Sequence, residues 1–116
     1  MLISLVGGID DLLSILFLVM ISDYITGVLV GFKMKKLSSN VGFIGIMKKI
    51  VMLIIIAISY SFDSRLFHTE VLRTAVIIFY LCNETLSVIE NVSELGVPIP
   101  DKLKETLNQL NGKEQL

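Results

Sequence analysis

Residues 12–32 read LLSILFLVMISDYITGVLVGF, an apolar run that carries a single charged residue, Asp23, near its middle. A run of about 20 apolar residues is long enough for a helix to cross the hydrocarbon core of a bilayer. A carboxylate at that depth costs about 2.5–3.5 kcal/mol on insertion scales. We therefore expect Asp23 to face protein or water, and we expect this helix to pack against others.

The composition indicates that the chain has further membrane-spanning segments beyond the first apolar run. Of its 116 residues 53% are apolar, against roughly 45–50% in soluble domains, and the excess lies in residues 12–32, 43–62 and 71–91. The formal net charge of −1 gives no indication of a nucleic-acid partner. The single cysteine, Cys82, cannot form an internal disulfide. No Lys or Arg precedes the first apolar run, so a secretory signal peptide is not predicted.

The three apolar stretches predict an all-α integral membrane protein with three transmembrane helices. The second stretch, residues 43–62, has Lys48 and Lys49 near its start. We expect their stems to lie along apolar surface while the ammonium groups reach the membrane interface. The third stretch, residues 71–91, is the least apolar because it holds an arginine and two glutamates.

A short helix is predicted at the N-terminus, lying in the membrane interface. Its apolar residues recur at helical spacing, although Gly7 and Gly8 favour a break in it. The recurring residues are Leu2, Val6, Ile9 and Leu13.

A second short helix is predicted after the third span. Pro98 and Pro100 end the span because proline cannot continue a helix. From Asp101 an amphipathic helix follows, and we expect a frayed tail from Asn111. The chain is thus divided into a membrane domain, residues 1–92, and a tail, residues 93–116. The apolar face of the tail helix carries Leu103, Leu107 and Leu110.

The positions of lysine and arginine predict the orientation of the chain. Five lysines lie between the beginning of the first loop and the start of the second span, and three lie in the tail. The only arginines, Arg65 and Arg73, flank the second loop, and the N-terminus has neither residue. Under the positive-inside rule the N-terminus is outside, and the first loop and the tail are cytoplasmic. The lysines that we assign to topology and the interface are Lys33, Lys35, Lys36, Lys48 and Lys49.

Small and polar residues share one face of the first span. Asp23, Gly27 and Gly31 recur every four residues, and Thr26 lies beside them. The GxxxG spacing lets two membrane helices approach closely. This face either packs within one three-helix protomer or forms a seam between protomers.

A second polar stripe runs along one face of the third span. Its residues are three or four positions apart, and they are Tyr80, Glu84, Ser87 and Asn91. Such residues face a bundle interior or a water-filled cavity. The stripe either seals a protomer core or drives self-association, and we favour the second because two acidic stripes exceed what three helices easily satisfy. The candidate oligomer- or pore-lining residues are Asp23, Thr26, Gly27, Gly31, Tyr80, Asn83, Glu84, Ser87 and Asn91.

No catalytic or cofactor motif is found. His68 is the only histidine and is predicted to lie in a loop, so no catalytic triad and no histidine-based metal site can be assembled. No glycine pattern typical of phosphate or dinucleotide binding occurs. We therefore predict neither an enzyme nor a bound cofactor.

The order of these motifs resembles one known family, the phage holins that are grouped with clostridial toxin-secretion holins. Asp-Tyr-x-Thr-Gly at residues 23–27 is followed by Lys48-Lys49, by Asn-Glu-x-x-Ser-x-x-Glu-Asn at residues 83–91, and by Pro98 and Pro100. The resemblance covers roughly residues 23–103. It implies a homo-oligomer that forms lesions in the bacterial cytoplasmic membrane, through which a cell-wall hydrolase or a large toxin leaves the cell.

Three functions are therefore weighed. The leading hypothesis is a pore-forming holin in which Asp23 and Glu84 carry the polar seam. The alternative is a small proton- or cation-coupled transporter, but transporters of this length usually have four spans and short tails. A third hypothesis is a passive membrane subunit that docks a partner through the three leucines of its tail helix.

Overall fold

The computed structural model describes residues 2–110, apart from the side chains of Leu107 and Leu110. Three helices in this part of the chain are long and apolar enough to cross a membrane, and no strand occurs within it. The prediction of an all-α protein with three spans is therefore confirmed. The helices are α1 (Leu2–Leu5), α2 (Asp11–Lys33), α3 (Ser39–Phe62, continued by a π-helical turn, Asp63–Phe67), α4 (Val71–Glu94) and α5 (Asp101–Leu110). The predicted tail from Asn111, and the Leu107 and Leu110 side chains of the predicted apolar face, lie outside the description.

The helices α3 and α4 extend beyond the apolar runs that predicted them. α3 begins at Ser39, before the predicted start at residue 43, and α4 ends at Glu94, after the predicted end at residue 91. Apolar runs mark the part of a helix that lies in lipid, whereas backbone hydrogen bonds continue into polar residues. The early start of α3 puts ten residues, or about 15 Å of helix, before Lys49. Lys49 is therefore the eleventh residue of α3 and lies well inside the helix.

The helices α2 and α4 run parallel and in register. Asp10, which caps α2, binds Arg73 near the start of α4, and Lys33 at the end of α2 binds the backbone of Glu94 at the end of α4. α3 runs antiparallel to both, and its contact with α2 is the smallest of the three helix contacts. We call the end of the bundle where α2 and α4 begin the Arg73 end, and the end where they finish the Lys33 end.

The apolar core lies toward the Arg73 end. It is formed by fully or almost fully buried side chains from all three spans, which are Leu13, Leu16, Met20, Ile56 and Ile77. Lipid tails are as apolar as these side chains, so close packing rather than escape from water holds membrane helices together. Most other large apolar side chains of the spans are exposed, and α3 is the least buried span. The outer surface of the bundle is thus suited to lipid.

Asp63 fixes the start of α4. It is 1% exposed, although it lies in the π-helical turn after α3. Its carboxylate accepts hydrogen bonds from the Thr69 hydroxyl at 3.0 Å and from the backbone N–H groups of Leu72 at 3.2 Å and Arg73 at 2.7 Å. Helix N-termini leave N–H groups unpaired and favour negative charge. Asp63 therefore caps α4 from the preceding span.

Arg73 fastens the N-terminal segment to the bundle. Its guanidinium donates to the backbone carbonyls of Val6 at 2.6 Å and Gly8 at 3.1 Å, and to the Asp10 carboxylate at 2.8 Å. The hydrogen bond from Arg73 is the main cause that lowers the pKa of Asp10. α1 ends before Gly7, whose φ of +88° suits glycine. A Cβ at Gly7 would lie 2.8 Å from both Arg73 Nε and a Tyr60 ring carbon. The predicted glycine break is therefore present, and this segment lies close against α3 and α4.

Candidate functional site

One charged residue from each span meets at the centre of the bundle. Lys49 Nζ of α3 lies 2.8 Å from Asp23 Oδ2 of α2 and 2.8 Å from Glu84 Oε1 of α4. The three side chains are between 12% and 18% exposed. We call Asp23, Lys49 and Glu84 the charge triad. It connects all three spans at a depth where an unpaired charge is costly.

Hydrogen bonds from α4 complete the surroundings of Asp23. The Ser87 hydroxyl donates to Asp23 Oδ1 at 2.5 Å, and Asn91 Nδ2 lies 3.2 Å from the same oxygen. Asn91 Nδ2 also lies 3.3 Å from the Asp23 backbone carbonyl and 2.9 Å from Thr26 Oγ1. Asp23 thus has an ammonium, a hydroxyl and an amide as donors. The parallel register of α2 and α4 brings these residues to the same depth.

Glu84 has poorer surroundings than Asp23. Its residue exposure is 9%. Its Oε1 atom is buried and accepts no hydrogen bond, because Lys49 Nζ approaches it at 2.8 Å outside hydrogen-bond geometry. In the part of the chain that the structure describes, no other buried side-chain nitrogen or oxygen lacks a hydrogen bond. The two carboxylates of the triad therefore share one ammonium unequally.

The ammonium of Lys49 does not extend to the interface as we expected. The expected snorkelling assumed that α3 begins at residue 43, which would put Lys49 close to the surface. Its ammonium instead lies 2.8 Å from carboxylate oxygens of Asp23 and Glu84, and each of these acids lies near the middle of its own helix. Lys48, the next residue around the helix, is exposed on the outside of the bundle.

The polar stripes find more partners within one chain than we expected. We had argued that three helices do not easily satisfy them, and for Asp23, Thr26, Ser87 and Asn91 this argument is wrong. Lys49, which the sequence analysis assigns to the interface, neutralises one carboxylate from inside the bundle. Whether these residues also line an oligomer seam or a pore stays a prediction.

The remaining candidate residues surround the triad. A Cβ at Gly27 would lie 3.7 Å from Asn91 Nδ2, so Gly27 allows α2 to approach α4. A Cβ at Gly31 would meet Leu37 of the first loop at 3.5 Å. Tyr80 packs against the apolar core, and Asn83 is half-buried on α4. The GxxxG face thus contacts α4 and the first loop of its own chain.

A cleft separates α2 from α3 toward the Lys33 end. Its volume is about 250 Å³, and it reaches from the first loop to Asp23 and Lys49 of the triad. A Cβ at Gly42 would lie 3.1 Å from the Tyr24 hydroxyl, whereas a Cβ at Gly45 would meet nothing within 4 Å. Tyr24 and four glycines are among the walls of the cleft, and these glycines are Gly27, Gly31, Gly42 and Gly45.

An apolar groove lies along the α2–α3 contact next to the cleft, toward the Arg73 end. Its volume is about 270 Å³, and Phe17, Ile21, Ile50 and Leu53 are among its walls, with Lys49 at the boundary. The cleft and the groove adjoin at Tyr24 and Lys49, which line both. The Asp23–Lys49 ion pair bridges the two helices there.

The lysines of the first loop lie at the Lys33 end. Lys33 Nζ donates to the backbone carbonyl of Glu94 at 2.7 Å, where a cation also complements the negative end of α4. Lys35 and Lys36 are exposed, and Lys36 borders the cleft. Among residues 2–110, no group of three or more His, Cys, Asp or Glu side chains could hold a metal ion.

The comparisons with known proteins identify the family of this chain. The family model described as bacteriophage holin family matches residues 1–112. The chain belongs to this family. With three apolar helices of sufficient length, this holin-family chain is a multi-pass membrane protein.

Relatives in bacteria and in a phage share most of its length. It is 44% identical over 109 residues to an uncharacterized 14.9 kDa protein from the nagH 3′ region of Clostridium perfringens, covering 93% of this chain and 83% of that protein. It is 41% identical to an uncharacterized protein of Listeria monocytogenes, covering 89% of this chain and 74% of that protein. It is 31% identical to a probable holin of Bacillus phage phi105, covering 83% of this chain and 71% of that protein. No solved structure matches the chain.

Proposed function

We propose that this chain is a holin that assembles with other copies of itself into lesions in the bacterial cytoplasmic membrane. A cell-wall hydrolase or a toxin then leaves the cytoplasm through these lesions. Membership of the holin family supports the general role. In this proposal the N-terminus is outside, and residues 93–116 form a cytoplasmic tail, as the lysine distribution predicts.

The observation that carries the proposal is the charge triad, which joins three otherwise apolar helices. Each polar group in a membrane must be satisfied by protein or by water. In the closed chain Asp23 and Lys49 satisfy one another. If α3 moves away from α2 and α4, the same groups become exposed and are satisfied by water, so several open copies together line an aqueous lesion.

The helix α3 is the part that moves in this proposal. It is the least buried span, and its contact with α2 is the smallest in the bundle. The ion pair between Asp23 and Lys49 is its polar attachment to α2. α2 and α4, by contrast, are joined by hydrogen bonds or ion pairs at both ends and in the middle.

Expression in bacteria, with and without a cytoplasmic muralytic enzyme, tests the proposal. We expect rapid loss of turbidity only when the chain and the enzyme are both present. Lys49→Met, which removes the bridge to α2, is expected to change the time at which clearing begins. Lys48→Met is the matched control, because Lys48 is exposed on the neighbouring position and should leave the onset unchanged.

Two results would count against the proposal. One is an enzyme that stays inside intact cells although the chain has accumulated in the membrane. The other is a Lys49→Met chain that accumulates normally and clears the culture at the time of the original chain. The first contradicts the holin role, and the second contradicts the role of the triad within it.

A further inference from the structure

We infer that Glu84 is a proton-binding site that is occupied while the bundle is closed. The triad contains two carboxylates but only one ammonium, and an oxygen of each carboxylate lies 2.8 Å from Lys49 Nζ. If every group were ionised, the triad would hold one uncompensated negative charge in the middle of the membrane. One bound proton makes it neutral.

The hydrogen bonds assign the proton to Glu84 rather than to Asp23. Donors to a carboxylate favour its charged form, and burial without donors favours its neutral form. Asp23 accepts from Lys49, Ser87 and Asn91. Glu84 Oε1 is buried and accepts no hydrogen bond. Asp23 is therefore the ionised partner of Lys49, and Glu84 carries the proton.

The charged groups that face Glu84 come from the other two spans. They are Asp23 of α2 and Lys49 of α3, and Tyr24 of α2 borders the adjoining cleft. Ser87 and Asn91, the polar neighbours from α4 itself, direct their bonds to Asp23. Nothing in this arrangement adds a second positive charge beside Glu84, so a proton is what neutralises it.

In this inference the proton exchanges with water through Asp23 and Lys49, which contact each other beside Glu84 and line the cleft, whereas Glu84 itself does not line it. The cleft reaches Asp23 and Lys49 from the side of the first loop. The volume of the cleft is about 250 Å³. The absence of a side chain at Gly42 helps to keep this route open, since a Cβ there would lie 3.1 Å from the Tyr24 hydroxyl.

Proton binding at this site also regulates opening, and this step rests on the proposed function. When α3 leaves, water reaches the Glu84 carboxyl group, which ionises by giving its proton to a water molecule. The open state then binds one proton fewer than the closed state. Linkage requires that a rise in pH favour opening, by at most about tenfold per pH unit for one proton.

Infrared spectroscopy of the full chain in lipid nanodiscs tests the site without reference to lysis. The carbonyl stretch of a protonated carboxyl group, identified by its shift in heavy water, is measured at pH 7. We expect one such group per chain in the original protein and none in Glu84→Gln. Glu105→Gln, which changes an exposed glutamate of the tail helix, is the matched control and should keep the band.

A second variant tests the charge count. Lys49→Met removes the only ammonium of the triad, so two protonated carboxyl groups per chain are expected. Circular dichroism shows whether each variant remains helical; if Lys49→Met does not, the original chain and Glu84→Gln still decide the matter. Absence of the band from the original chain, or its persistence in Glu84→Gln, overturns the inference.

Dye release from vesicles separates this inference from the proposed function. Release by the original chain should rise with pH, and release by Glu84→Gln should not depend on pH. A chain that shows the infrared band but releases no dye under any condition refutes the proposed pore and leaves the proton site in place. A chain that releases dye but lacks the band refutes the proton site alone.

Discussion

The Arg73 end and the Lys33 end of the bundle are held together by different interactions. At the Arg73 end, buried apolar side chains from all three spans fill the interior. The Arg73 side chain also donates to the Val6 carbonyl, and the Asp63 carboxylate accepts from the backbone N–H of Arg73. Toward the Lys33 end, α2 and α3 are separated by a cleft and joined mainly by the Asp23–Lys49 ion pair. One end depends on packing over many atoms, and the other depends on a few polar atoms.

This difference indicates where the bundle can open. Packing between apolar side chains adds up from many weak contacts and is lost only when whole helices separate. An ion pair in a poorly hydrated site loses most of its attraction once water enters, because the effective dielectric constant rises. We therefore expect opening to begin toward the Lys33 end, with the Arg73 end acting as the fixed part.

The largest expected effect comes from removing one partner of the ion pair. Asp23→Asn leaves the Lys49 ammonium with only Glu84 and should lower the free energy of unfolding, by up to about 3–5 kcal/mol if the charge stays unpaired. Titration with sodium dodecyl sulfate in mixed micelles measures this loss. Asp23→Leu combined with Lys49→Met is the control and should recover much of it, because no charge is left unpaired. If Asp23→Asn is as stable as the original chain, the Lys33 end does not depend on the ion pair, and the proposed difference between the two ends is contradicted.

A smaller effect is expected from filling the cleft. At Gly42 a Cβ would lie 3.1 Å from the Tyr24 hydroxyl, so Gly42→Ala requires Tyr24 to move. At Gly45 the space is open, so Gly45→Ala is the matched control. We expect Gly42→Ala to shift the onset of turbidity loss and Gly45→Ala to leave it nearly unchanged. Equal shifts in both variants would show that the cleft walls are not arranged as described.

The smallest effect concerns pH at the Arg73 end. The hydrogen bond from Arg73 lowers the pKa of Asp10 below its usual range, which is about 3.9 in an unfolded chain. The carboxylate therefore stabilises the fold above that pH, and this contribution is lost as the pH falls through the lower, folded value. Asp10 is half exposed, so the change is small. The difference in stability between the original chain and Asp10→Asn should shrink on acidification, and a constant difference would contradict the Arg73 contact.

The sequence predicted the spans well because their signal is local. Residues 12–32 form an apolar run of the right length for a span. The GxxxG spacing on the first span and the polar residues at helical spacing on the third identify the faces that point inward. Asp23, Thr26, Ser87 and Asn91 lie on these faces, but they meet within one chain, whereas the sequence analysis favours contacts between copies. Helical periodicity and the cost of polar groups in lipid were sufficient for this much.

The partners of these residues could not be predicted with the same certainty, because they depend on register between helices. Lys49 was assigned to the interface because it lies near the start of the second apolar run, and only the register of α3 against α2 and α4 brings it to Asp23 and Glu84. Asp63 caps a helix that begins eight residues later, so its role has no local signature. Arg73 binds Asp10 across 63 positions of the chain. A basic residue inside the third span and an acidic one before the first were the only signals of that contact.

The central claim is that Asp23, Lys49 and Glu84 contact one another within a single chain. Carbodiimide cross-linking in intact membranes tests this claim most directly. The reagent joins an amine to a carboxyl group in contact with it, and Lys49 Nζ lies 2.8 Å from oxygens of both Asp23 and Glu84. Chains labelled with light and heavy nitrogen are expressed together, and mass spectrometry identifies the linked peptides. We expect amides from Lys49 to Asp23 or Glu84 within chains of the same label, and we expect them to decline once the membrane becomes permeable. Links that join light to heavy chains before permeabilisation would contradict the claim that the charge triad forms within one chain. The absence of any link at Lys49 would contradict it as well.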